Sequence, residues 1–313
     1  MAGKMMHGTG RPRGRPIGPM PTISDLQRLI APLTEAQFLT LLRERKLTFL
    51  PSSERRRFET LLSWEALNHL LDGGTFPLER LRVLRESTHI PTILYVKKGR
   101  VVSTALSKLL DQGVSLIFNQ LERYVPALHV LCRNIARHTS EGISAAAVLT
   151  NGRGGALACH RDDEDLIILQ IAGTKRWQVF GPSVVAGHPP PGPPVFDHLL
   201  RAGDVLFLPS GQWHHCENGP HRSLHVSILF YPPNGRHLMA TLASQLLSDE
   251  IFRRPLTRHS NQETLAAHEA ALKARLVDAI QAISSTKFLT ERAASRPIDD
   301  IHLEGRPDQA CDA

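Results

Sequence analysis

Apolar residues recur along this chain with two different periods, and the period changes twice. From Thr22 to about residue 79 the spacing is helical. Thr34-Glu35-Ala36-Gln37 has the form of a capping box, and Phe38, Leu41 and Leu42 follow on one face. A further helix is predicted over 58–71, closed by Gly73-Gly74. From Leu81 the pattern turns strand-like through LRVLRES and TILYV. The stretch 114–136 is read as an inserted amphipathic helix that crosses Pro126. A small-residue strand is expected at 144–150, then a glycine-rich turn at 151–155. Next, 166–169 is continuously apolar and 175–180 alternates, with Ala172-Gly173-Thr174 as the hairpin turn between them. HPPPGPP at 188–194 is compatible only with a loop. Arg201-Ala202-Gly203-Asp204 reads as a turn into the strand VLFLP, and 223–231 alternates as a barrel strand does. From Gly235 the period is helical again. Leu238, Leu242, Leu246 and Leu247 share a face, and another helix is predicted over about 262–283.

The chain therefore divides into four expected parts. A tail at 1–21, rich in Gly, Pro and Arg, is expected to be disordered. A helical region at 22–79 precedes a mainly β core at 80–234, and a second helical region covers 235–313. With 313 residues, 42% of them hydrophobic and 21% charged, the composition is that of one main globular domain with appendages.

Charge and cysteine content narrow the picture. The apolar runs are too short to span a bilayer, and the basic N-terminus has no apolar stretch behind it, so neither a membrane span nor a secretory signal is expected and the predicted location is the cytoplasm. The formal net charge of +7 is concentrated partly in the tail and in Arg55-Arg56-Arg57. No nucleic-acid-binding motif accompanies it, so a solvated surface is preferred to nucleic acid as its explanation. Cys132, Cys159, Cys216 and Cys311 make no CxxC pair and read as free thiols. A zinc site using Cys159 is disfavoured, because Cys159 neighbours His160 and adjacent strand residues point to opposite faces.

The candidate chemistry lies in His160-Arg161-Asp162 and a histidine some 54 positions on, at His214 or His215 (214 − 160 = 54). Two imidazoles and one carboxylate hold one face of Fe(II) and leave the other open. On a strand, residues two apart share a face, so His160 and Asp162 are expected side by side. Parity does not choose between His214 and His215. Lys175, after the glycine turn and on the same predicted face as Trp177, is the candidate cation for the carboxylate of a co-substrate. Against this, 16 histidines make coincidental pairs common, and a lone strand histidine is more often a hydrogen-bonded core residue than a ligand.

With those residues in hand, the chain resembles the JmjC-type 2-oxoglutarate oxygenases, and within them the cupin-like branch that contains the ribosomal-protein hydroxylases. The resemblance rests on HRDDEDLIILQIAGTKRWQVF and GDVLFLPSGQWHH and covers about residues 80 to 232. It implies a double-stranded β-helix (jelly-roll) core with flanking N- and C-terminal helices. It implies Fe(II) on His160, Asp162 and His214, favouring His214 over His215, with 2-oxoglutarate as co-substrate on Lys175 and Ser227. The implied activity is a dioxygenase that hydroxylates a side chain of a protein or peptide. The alternatives are a metabolite-tailoring oxygenase and a non-catalytic metal-binding cupin-like protein. Apart from the resemblance, the leucine face of the C-terminal helices (Leu238, Leu242, Leu246) suits either a homodimer or packing on the chain's own barrel. Three positions depart from the pattern. Ala146 and Val148 stand where that branch usually has Asn and Tyr, and Leu229 stands where relatives often have a polar group.

Overall fold

The computed structural model describes residues 24–139, 141–152, 157–182, 188–190, 192–256 and 261–295. The tail at 1–21 and most of the glycine turn at 151–155 lie outside them. In chain order the elements are α1 (Ser24–Ile30), α2 (Glu35–Glu44), β1 (Thr48–Leu50), α3 (Trp64–Asp72), β2 (Leu81–Arg85), β3 (Thr88–His89), β4 (Val96–Lys97), β5 (Arg100–Val101), α4 (Ser103–Asp111), β6 (Ser115–Phe118) and α5 (Pro126–Thr139). Then come β7 (Gly142–Thr150), β8 (Asp165–Ala172), β9 (Thr174–Pro182), β10 (Phe196–Arg201), β11 (Val205–Leu208), β12 (Gln212–Asn218) and β13 (Ser223–Tyr231). The chain continues in α6 (Gly235–Leu246), α7 (Glu250–Arg253), α8 (Gln262–Gln281) and α9 (Ser285–Ser295). None of the described helices is long and apolar enough to cross a membrane.

An eight-stranded antiparallel sheet runs β1-β11-β8-β13-β7-β6-β2-β3, and a three-stranded sheet runs β10-β9-β12. The two pack face to face through Leu166, Ile168, Leu206 and Leu208 of the large sheet and Trp177, Val179 and Leu200 of the small one. The other face of the large sheet carries Ile167, Leu169, Val226 and Ile228 and packs on the helices through Leu26, Phe38, Leu106, Leu128 and Ile135. Alternation along each strand thus separates a helix-facing side from an inner side.

Three local expectations are corrected. The stretch 114–136 is not one helix: it holds β6, a 3-10 turn at Leu121–Arg123 and then α5, whose first residue is Pro126. Proline suits that position, where its missing N–H would have no intrahelical partner. TILYV begins as a 3-10 turn at Thr92–Leu94 instead of a strand. The helix expected over 58–71 starts only at Trp64, where the Ser63 side chain accepts from Ala66 N.

The region 22–79 also contains a strand, β1, that pairs with β11. Gly203-Asp204 explains the attachment. Gly203 has φ +92°, and a Cβ there would lie 2.3 Å from the Glu54 carbonyl oxygen. Buried Asp204 accepts from Ser52 N at 2.9 Å, Arg201 N at 2.8 Å and the Arg55 guanidinium at 3.3 Å. The turn therefore ties the N-terminal segment to the sheet as well as starting β11.

Candidate metal centre

The first two candidate ligands do not lie on a regular strand: β8 begins only at Asp165. His160 forms an isolated bridge with His214: its N–H donates to His214 O at 3.0 Å, and its carbonyl oxygen accepts from His214 N at 2.7 Å. Two residues on, Asp162 O accepts from Gly211 N at 2.8 Å. The His-x-Asp segment is thus held against the entry to β12. A register irregularity between Trp213 and His214 re-aims that strand at the same point.

This pairing brings three side chains together. One donor atom each from His160, Asp162 and His214 lies within 4.8 Å of the others, and no other such group is found among the described residues. Nε2 of His214 is 3.6 Å from Asp162 Oδ2, Nε2 of His160 is 4.0 Å from Asp162 Oδ1, and the imidazole centroids are 4.4 Å apart. His215 does not join them; its Nδ1 faces Leu157 O at 3.1 Å.

Both imidazoles are held in the form a metal requires. Nδ1 of His160 is 2.8 Å from Ala158 O and Nδ1 of His214 is 3.0 Å from Gln212 O. A carbonyl can only accept, so each Nδ1 carries a proton and the Nε2 atom of each ring is the one turned towards Asp162. Burial, then the neighbouring His160, pushes the His214 pKa well down and keeps it neutral. His214 is buried while His160 and Asp162 are partly exposed, so the cluster is closed behind and open in front. This donor set, three ligands on one side with an accessible opposite side, fits a divalent first-row ion such as Fe(II).

None of the described cysteines, Cys132, Cys159 and Cys216, joins the three-donor group. Burial pushes the Cys216 thiol up to about 12, against the pull of Lys175, so it stays protonated.

Lys175 lies on β9 facing inward, only 3% exposed, and makes no hydrogen bond or ion pair with any described residue. Gly173 sets it there. With φ +68°, its Cβ position would fall 2.1 Å from Arg222 O, so only glycine lets the β8–β9 turn close against the lead into β13. Ser227 lies on the inner side of β13, opposite Ala146 and Ile168. Trp177 stands between the cluster and the deeper barrel, its ring stacked 5.8 Å from His214 and edge-on 5.4 Å from His225. The sequence reading passed over His225. Its signal was parity, since it is two residues from Ser227 on the same face of β13.

Residues 122–238 match the family model of the JmjC domain. The bifunctional lysine-specific demethylase and histidyl-hydroxylase NO66 of Drosophila mojavensis is 26% identical over 85% of this chain and 32% of its own length. Ribosomal oxygenase 2 of Mus musculus is 27% identical over 67% of this chain and 48% of its own. The chain thus spans about a third to a half of the length of these curated relatives. Among solved structures, the ribosomal oxygenase YcfD from Escherichia coli, in complex with cobalt and 2-oxoglutarate, shares the fold with a TM-score of 0.55 and 18% identity. That match covers 84% of this chain and 71% of the other.

Proposed function

Proceeding from a JmjC domain at residues 122–238, we propose that the protein is an Fe(II)- and 2-oxoglutarate-dependent dioxygenase that hydroxylates a side chain of a protein or peptide. The observation that carries the reading is the set of three donors with both Nδ1 protons tied back to carbonyls, open on one side. The relatives' names point the same way, one being a histidyl-hydroxylase and two being ribosomal oxygenases.

In this reading His160, Asp162 and His214 hold the iron. Bound iron supplies dioxygen activation coupled to oxidative decarboxylation of 2-oxoglutarate to succinate and carbon dioxide. The chain's own residues position the reactants. Lys175 and Val179, level with His214 on β12, are four positions apart on β9, about 13 Å of strand. A short diacid and a lysine side chain together bridge that distance, so the ammonium takes the far carboxylate while the near end faces the cluster. Ser227 lies at intermediate depth and offers a hydroxyl. Trp177 walls the space and keeps water from its side.

The test is mass spectrometry of a peptide pool rich in ribosomal-protein sequences after incubation with iron-loaded protein, 2-oxoglutarate and air. The expected result is a gain of one oxygen atom on a defined side chain. Oxidation confined to a metabolite pool would favour the small-molecule alternative. No oxygen gain and no succinate in either pool would favour the non-catalytic one.

We also infer a homodimer through the C-terminal helices. On α8, Leu265, Leu276 and Ile280 recur on one stripe and are 40%, 39% and 54% exposed, and α8 has no buried residue. Light scattering should give a dimer mass, and Leu276→Glu with Ile280→Glu should give a monomer.

A further inference from the structure

The inner side of the large sheet can be laid out in rows from its pairing register. Nearest the cluster's end of β8 is an apolar row, Leu229, Leu166 and Leu208; next come Ser227, Ile168 and Leu206. The third row holds His225 beside Gln170 and Val148, and the last pairs Ser223 with Thr150. Polarity therefore increases with depth, which is unusual for a buried interior.

The deep rows contain polar atoms that the protein does not satisfy. His225 is 3% exposed, and its Nδ1 has no hydrogen-bond partner. The same holds for Thr150 Oγ1, Gln170 Oε1 and Trp177 Nε1. On the facing strand, Lys175 is a buried cation with no partner anion among the described residues. Buried polar groups are almost always paired, and an unpaired buried charge is more costly still. Gln170 Oε1 can only accept, but the Thr150 hydroxyl, the Trp177 indole N–H and a His225 ring N–H can donate, and unsatisfied donors on the same face as a buried cation have the character of an anion site. His225 lies edge-on at 5.4 Å to the ring of Trp177, which is two residues from Lys175 on the same face of β9, and the Lys175 charge helps, after burial, to hold the imidazole neutral. A neutral imidazole has one N–H to donate.

We propose that His225 is a second anchor for the far carboxylate of the 2-oxo acid, donating an N–H to it beside the Lys175 ammonium. The pair selects a diacid over a 2-oxo acid that lacks the second carboxylate. The inference rests on the oxygenase reading and deepens it. Val148, directly across from His225, offers no polar group at this depth, so the histidine supplies the hydrogen bond there.

The experiment is equilibrium dialysis of 2-oxoglutarate and of 2-oxobutyrate against the full-length protein loaded with cobalt, which blocks turnover. Wild type is compared with His225→Phe and with His225→Asn. Wild type should bind 2-oxoglutarate well and 2-oxobutyrate poorly. His225→Phe should weaken 2-oxoglutarate roughly tenfold to a hundredfold, the value of a lost hydrogen bond to a charged group. It should leave 2-oxobutyrate and cobalt affinity unchanged, with partial recovery in His225→Asn. A second measurement needs no variant: in protein with 15N-labelled histidine, 2-oxoglutarate should shift the His225 ring nitrogens and 2-oxobutyrate should not. Equal 2-oxoglutarate affinity in wild type and both variants, or an unmoved His225 resonance in the bound protein, overturns the role of His225 and leaves the oxygenase reading standing. No 2-oxoglutarate binding by cobalt-loaded wild type overturns both.

Discussion

The two faces of β13 meet different surroundings. Leu224, Val226, Ile228 and Phe230 face the helices, are fully buried, and sit in an all-apolar cluster. His225, Ser227 and Leu229 alternate with them and face the small sheet, where Lys175, Trp177 and the three-donor cluster gather. On the helix side the chain fills its own space with apolar side chains. On the inner side an imidazole nitrogen and several other polar atoms have no hydrogen-bond partner among the described residues, beside the buried Lys175. The difference separates a face that packs the core from a face that carries the candidate site, and substitutions on the two sides should fail differently.

The largest effect is expected at the cluster. His160→Ala should lower metal affinity by at least about a hundredfold, measured by competition with a chromogenic chelator, while near-ultraviolet circular dichroism stays unchanged. On the helix side, Ile228→Ala should cost about 2–5 kcal/mol in denaturant unfolding. The protein that remains folded should take up metal as before. If Ile228→Ala altered metal affinity at unchanged stability, the separation between the two sides would be wrong.

Lys175→Met sharpens the comparison, because its two effects have opposite sign. Removing a buried, unpaired ammonium should raise the stability of the ligand-free protein by about 1 kcal/mol or more. The same change should weaken 2-oxoglutarate binding at least about tenfold. A helix-side substitution offers no such exchange of stability for affinity.

The smallest effect is expected at Glu141, at the foot of β7. Burial, then Asp165, raises its pKa to about 7, with Arg45 opposing. Its folded pKa lies above the unfolded value, so the fold favours the protonated form. The stabilisation is full below about pH 4.3 and is lost as pH rises towards 7. Glu141→Gln should therefore raise the melting temperature relative to wild type at pH 8, by an amount equivalent to about 1 kcal/mol, and change it little at pH 4. An equal gain at both pH values would remove Glu141's titration as the cause.

Much of the barrel was legible because alternation is strong where a strand has one face in each environment. The Gly173 hairpin, the Gly203-Asp204 turn and the strand 223–231 were all read from pattern and turn chemistry. What was not legible depends on long-range pairing. β1 is three residues long, too short to show a period, and is held by Asp204 from far along the chain. His160 and Asp162 were expected to meet through strand parity. They meet instead because the segment is bonded to His214 and Gly211. The choice between His214 and His215, open by parity, follows from that same bridge. His225 was passed over because one more histidine in a strand carries no signal until its neighbours are known.

The most direct measurement is succinate release from 2-oxoglutarate by anaerobically iron-loaded protein on admission of air, with and without the peptide pool, beside His160→Ala. The expected result is succinate that requires iron, is stimulated by peptide and is lost in His160→Ala. Iron bound in equal proportion to protein with no succinate, or a rate unchanged in His160→Ala, would contradict the assignment of the cluster as an oxygenase centre.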